Sequence, residues 1–141
     1  MEFPKFKNKN IAFDIWDTAG QTKFRALSKI FFIDAKAIIL VYDITKKKSF
    51  EEIIDYWMPQ INSCATKNPS KFIYIKLIFY IVIGIIGNKS DLIDKEEVNE
   101  EIAKNFAQDM GAFYLSTSAL SSQGILEIFE KIGEKFLSGI E

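Results

Sequence analysis

"IVIGIIGNKSDL", Ile81–Leu92, runs from an apolar stretch straight into a polar turn, and that junction decides how the rest of the chain is read. Ile and Val without a charge describe a strand covered on both faces, the usual condition of a strand inside a parallel sheet. Asn88, Lys89, Ser90 and Asp91 then stand at its carboxyl end, which is where open α/β sheets bind ligands.

The same alternation extends in both directions. "AIILVYD" (Ala37–Asp43) is another continuously apolar strand, and "AFYLSTS" (Ala112–Ser118) a further one. "NIAFDIW" (Asn10–Trp16) reads as a strand with Ile11, Phe13 and Ile15 on one face and Ala12, Asp14 and Trp16 on the other. Between strands the period changes to that of a helix. Ser49, with Glu52 three residues on, predicts a capping box. Phe50, Ile53, Ile54, Trp57, Met58 and Ile61 follow as its apolar stripe, and Pro59 predicts a kink in the middle. Val98, Ile102, Phe106 and Met110 line a second helix closed by Gly111, and Ile125, Ile128, Phe129, Ile132 and Phe136 line the last. Strands separated by helices imply an α/β fold with a mostly parallel sheet. At 141 residues the expectation is a single domain spanning 1–141.

Composition narrows the function classes. A formal net charge of −1 gives no basic excess for general nucleic-acid binding. A lone Cys64 excludes an internal disulfide, and the absence of His weakens any metal-ligand cluster. That usage suits a reducing, cytoplasmic setting. The apolar run Phe72–Gly87 carries Lys76 and is shorter than the roughly 20 residues of a membrane-spanning helix.

Three polar motifs sit at strand ends. In "DTAGQ", Asp17 is an acid after an apolar strand that can hold Mg²⁺, through water. Gly20 permits close backbone approach to a phosphate, and Gln21 has the donor and acceptor needed to orient a water. An ordinary strand-to-loop turn explains this motif equally well on its own. "GNKSDL" changes the balance. A carboxylate at Asp91 accepts from both the N1–H and the 2-amino group of guanine, Asn88 can bond the other edge or brace the loops, and the stem of Lys89 can lie along the ring. In "STSA", a backbone N–H, that of Ala119, can donate to the guanine carbonyl oxygen, a contact adenine cannot accept.

With "WDTAGQ" (Trp16–Gln21), "ILVYDIT" (Ile39–Thr45), "GNKSDL" (Gly87–Leu92) and "TSA" (Thr117–Ala119) together, the chain resembles the small GTPases of the Ras superfamily, and among them the Rab branch, from about Asn10 to Leu137. The resemblance implies a doubly wound sheet of the phosphate-loop type that binds GTP or GDP with Mg²⁺. It implies hydrolysis of GTP as a switch in vesicle-mediated transport. It makes Asp17 the magnesium-side acid, Gln21 the catalytic water-positioner, and Gly20, Asn88, Lys89, Asp91, Ser118 and Ala119 the nucleotide contacts. Trp16 and Phe31 become part of an effector surface, with Thr18 to about Phe32 as the nucleotide-sensing segment. Effector and regulator proteins of the Rab type are the implied partners, and nucleic acid is not.

Departures accompany the likeness. No G-x-x-x-x-G-K-[ST] precedes Asp17, and Leu120 replaces the usual Lys after TSA. No prenylatable Cys closes the chain, so the membrane anchor of longer relatives is not expected here. "KFIYIKLIFY" (Lys71–Tyr80) reads as an insertion of about ten residues, 71–80, before the expected strand. The expectation is therefore a small-GTPase sheet missing its first strand and helix, with the strands ending at Trp16 and Tyr42 facing each other across that place. An alternative is a non-catalytic Rab-like interaction module, or a shortened product that binds no nucleotide.

Overall fold

The computed structural model describes residues 11–18, 32, 35–66 and 81–139. Among these residues three strands form a parallel sheet: β1 (Ala37–Asp43), β2 (Val82–Asn88) and β3 (Phe113–Thr117), in that order across the sheet. β2 is central because both of its ladders are satisfied, Leu40 lying opposite Ile85 on one side and Tyr114 on the other.

Each face is covered by helices, which is why the strands carry so little polar sequence. One core contains Ile38, Leu40, Tyr42 and Ile85 of the sheet. Against it pack α1 (Lys47–Glu52), α2 (Met58–Thr66) and α3 (Glu100–Asp109). The other core joins Val82, Ile86 and Phe113 to Ile128 and Ile132 of α4 (Ile125–Ser138). The expected α/β architecture is thus present, with its sheet buried between two helical layers.

Four local expectations are revised. First, residues 11–18 form no regular element, and Ile15 and Trp16 are 64% and 68% exposed. A strand needs a neighbour to satisfy its backbone, and none pairs with this segment among the described residues. Phe13 instead packs edge-on against Phe129, with ring centroids 5.3 Å apart. The expected strand ending at Trp16 is therefore not present as a partner facing β1 among the described residues.

Second, the helix after β1 begins at Lys47, so Ser49 is inside its first turn and forms no capping box. Its hydroxyl accepts from the Asp43 N–H at 3.0 Å and lies 2.7 Å from the Lys46 carbonyl, so it ties the strand end to the helix start.

Third, the disturbance expected at Pro59 takes the form of a π-helical turn over Ile53–Trp57, between α1 and α2. The Met58 N–H bonds the Ile53 carbonyl, five residues back, just before the proline removes the next donor. Phe50, Ile53, Met58 and Ile61 all face the core as a result, while Ile54 turns outward.

Fourth, α3 buries Ala103 and Ala107 rather than Ile102, which is 61% exposed, or Met110. Small side chains let the helix lie close to the sheet. Phe106 fills the remaining space, edge-on to Phe50 at 5.7 Å.

Residues 71–80, the suggested insertion, lie outside the described residues. Among the described residues, no helix is long and apolar enough to cross a membrane.

Candidate functional site

The register of the sheet brings the polar motifs into one row. Asp43 at the end of β1 lies opposite Asn88 at the end of β2, and Asn88 lies opposite Thr117 at the end of β3. A groove of about 830 Å³ lies elsewhere, beside Ala37–Ile39 at the start of β1 and against Phe136 of α4. Parallel sheets bind ligands beyond their carboxyl ends, so the row at Asp43, Asn88 and Thr117 is the candidate site.

Asn88 works as a brace. Its Oδ1 accepts from the Thr117 hydroxyl at 3.4 Å and from the Ala119 N–H at 3.1 Å, joining the two loops. The Ala119 N–H assigned to a base oxygen in the sequence thus holds Asn88 in this arrangement. Lys89 sits in the left-handed region at φ 72°, uncommon for a residue with a Cβ. The Leu92 N–H bonds its carbonyl at 2.8 Å, closing the turn that leads into a 3₁₀ segment, Ser90–Lys95. That conformation turns the chain sharply enough to set Asp91 beside the β3 loop.

There Ser118, fully buried, donates its hydroxyl to Asp91 Oδ1 and accepts from the Ser121 N–H at 3.2 Å. Asp91 is exposed, with one oxygen anchored by a neutral donor. Leu120, next to Ala119, is 85% exposed at the rim.

Gly87 supports this end from below. A Cβ there would lie 2.7 Å from the Tyr114 hydroxyl oxygen and 2.9 Å from that of Tyr42, so only glycine fits between the two phenols. The two hydroxyls are 3.4 Å apart, and burial raises both phenols above their ordinary pKa. They remain neutral, adding no charge beneath the loop.

Asp43 is the group that sequence reasoning passed over. Its Oδ2 lies 2.8 Å from Lys89 Nζ. Its Oδ1 accepts from the Thr45 N–H at 3.0 Å and the Thr45 hydroxyl at 2.7 Å. Burial pushes this carboxyl up, but the Lys89 ammonium and the two Thr45 donors outweigh it and bring it from 3.8 to about 2. The available signal was an acid at a strand end with Thr two residues on, the pattern of an Asx turn.

A stability prediction follows from that shift. The folded carboxyl is more acidic than the unfolded one, so its contribution is complete above the unfolded pKa and fades as pH falls through the folded one. The urea midpoint should fall as pH drops from about 4 to about 2, and less steeply in Asp43→Asn. Identical slopes in the two proteins would show that Asp43 contributes nothing in this window.

Among the described residues, Asp17 and Trp16 do not belong to this row. Asp17 and Trp16 are exposed on the irregular 11–18 segment, whereas Gly20, Gln21 and Phe31 lie outside the described residues. No group of three or more acidic, His or Cys side chains that could hold a metal ion occurs among the described residues.

Comparison with known proteins agrees with the motif pattern. Residues 3–138 match the family model described as "Ras family". The chain is 36% identical over 142 residues to Ras-related protein RABA4a of Arabidopsis thaliana, covering 95% of this chain and 57% of that protein. It is 40% identical over 126 residues to RABA4b of the same plant, with 89% and 50% covered. Against human Ras-related protein Rab-22A it is 37% identical over 134 residues, with 95% and 62% covered. The chain thus spans between half and about three-fifths of the length of these relatives.

Proposed function

This chain belongs to the Ras family as a Rab-like small GTPase, and from that premise we propose that the carboxyl ends of β2 and β3 form a guanine-nucleotide site. The observation that carries the reading is the position of Asp91. One carboxylate oxygen is anchored by buried Ser118, on a turn braced to the neighbouring loop through Asn88. An anchored carboxylate offers paired acceptance to the N1–H and 2-amino donors of guanine, and adenine presents no such pair. Lys89 lays its stem beside the base, and Ser118 and Ala119 close the pocket.

The wider role is a nucleotide-dependent switch in vesicle-mediated transport that hydrolyses GTP and is read by effector and regulator proteins. In this reading Gly20 and Asp17 serve the phosphate end with Mg²⁺, and Gln21 orients the attacking water. Hydrolysis of this kind depends on positioning and electrostatics rather than on covalent chemistry of the protein. A second reading, a Rab-like module that engages partners without turnover, is favoured by the exposure of Ile15 and Trp16 side by side. In either case Trp16 and Phe31 are proposed as effector contacts.

Competition titration of the purified 141-residue chain with labelled GDP tests the base assignment. GDP should displace the label at least about fivefold better than ADP, because an unmatched polar contact costs over about 1 kcal/mol. Equal displacement by the two nucleotides would refute the guanine site.

A further inference from the structure

Lys89 stands two residues from Asp91 and carries a long, flexible ammonium, so the carboxylate assigned to the base has a competitor within its own turn. The structure shows the lysine drawn the other way, onto Asp43 Oδ2 at 2.8 Å. The reason lies in how the two carboxylates are held. The Asp43 backbone sits in the ladder opposite Asn88, and its N–H donates to Ser49 Oγ at 3.0 Å. Both Thr45 donors fix Oδ1, which leaves Oδ2 aimed at Lys89. The Asp43 side chain is only 15% exposed, so little further rotamer freedom is lost when the pair forms. Exposed pairs contribute little because both partners must be ordered and water screens them. Asp91, exposed at the rim, is the weaker claimant for the ammonium.

We propose that Asp43 is a positioning residue for the base site: by clamping the Lys89 ammonium against β1, it keeps the Asp91 carboxylate free of a lysine ion pair and open to the paired donors of a guanine base. The inference rests on the guanine reading given above. It adds a task for β1 that the base motifs themselves do not contain. Recognition then depends on two carboxylates with opposite duties, one partly shielded and committed to the lysine, the other exposed and held open.

The test uses Asp43→Asn in the full chain, because Asn keeps the Oδ1 acceptor for Thr45 and removes the charge facing Lys89. Without nucleotide, the side-chain carboxyl ¹³C resonance of Asp91 should shift in Asp43→Asn, as Lys89 moves onto it. The resonance should return to its wild-type position in Asp43→Asn/Lys89→Met. An Asp91 resonance that does not move overturns the proposal, whether or not the chain binds nucleotide. With GDP as the probe, Asp43→Asn should weaken binding by about tenfold in the presence of Lys89 and by much less in the Lys89→Met background. An equal loss in both backgrounds would indicate a merely structural role and would also overturn it. Should wild type bind no GDP, the guanine reading fails, and the Asp91 resonance alone decides whether Asp43 clamps the lysine.

Discussion

Replacing Asp91 with alanine should lower GDP affinity by about two to four orders of magnitude while leaving the fold intact. The size comes from two charge-assisted hydrogen bonds at about 1.5–3 kcal/mol each, with tenfold in affinity for every 1.4 kcal/mol. The fold is spared because the side chain is exposed on a 3₁₀ turn outside both cores. The Ser118 hydroxyl that loses its acceptor keeps the Ser121 N–H as a partner. Asp91→Asn is the more telling variant. It turns the paired acceptor into one acceptor and one donor, which complements the 2-oxo edge of xanthine instead of the 2-amino edge of guanine. Xanthosine diphosphate should then outcompete GDP in the same titration. If the Asn variant keeps its preference for GDP, Asp91 is not the group that reads the base.

The largest effect on stability should come from Ile85→Ala, a loss of about 2–5 kcal/mol. Ile85 is completely buried at the centre of β2, between Leu40 and Tyr114 in the register, and it joins the core beneath α1, α2 and α3. Truncation leaves a void that packed strands on both sides cannot close, so the cavity adds to the lost transfer energy. Against a typical margin of about 5–15 kcal/mol, that loss is large enough to shift the urea midpoint severely. Val41→Ala is the matched control. Val41, on the same sheet in β1, is 56% exposed, and its truncation should cost no more than about 0.5 kcal/mol. Near-UV ellipticity reports the transition through Trp57, which packs edge-on against Phe32 and Tyr56. Equal midpoints for the two variants would mean that β2 is not the centre of the sheet.

Much of the site was legible before any coordinates. Asn88, Asp91 and Ser118 follow apolar strands directly, and parallel strands deliver the residues at their carboxyl ends to one side of the sheet. The contacts among them were less legible. Asp43 looked like the end of a strand, and only the register placed it opposite Asn88 and within reach of Lys89. Ser49 illustrates a competing local bond: a Ser with Glu three residues later fits a capping box, but the Asp43 N–H was a better use for its hydroxyl.

What the sequence determined by itself is the kind of fold, the motifs proposed to face a base and the family, because short-range periodicity and motif spacing are properties of neighbours along the chain. What only the tertiary structure decided is partnership. Residues 11–16 alternate as a strand should, yet they form none, since a strand exists only where another backbone meets its hydrogen bonds. The helix stripe held for Val98 and Phe106, which join the core, but not for Ile102 and Met110, because close approach to the sheet selects Ala103 and Ala107. The π turn before Pro59 likewise rotated Met58 inward and Ile54 outward. Last, the lysine of the base motif found its carboxylate 46 residues away in the chain, on β1, where a pinned and shielded oxygen attracts an ammonium more strongly than an exposed one two residues off.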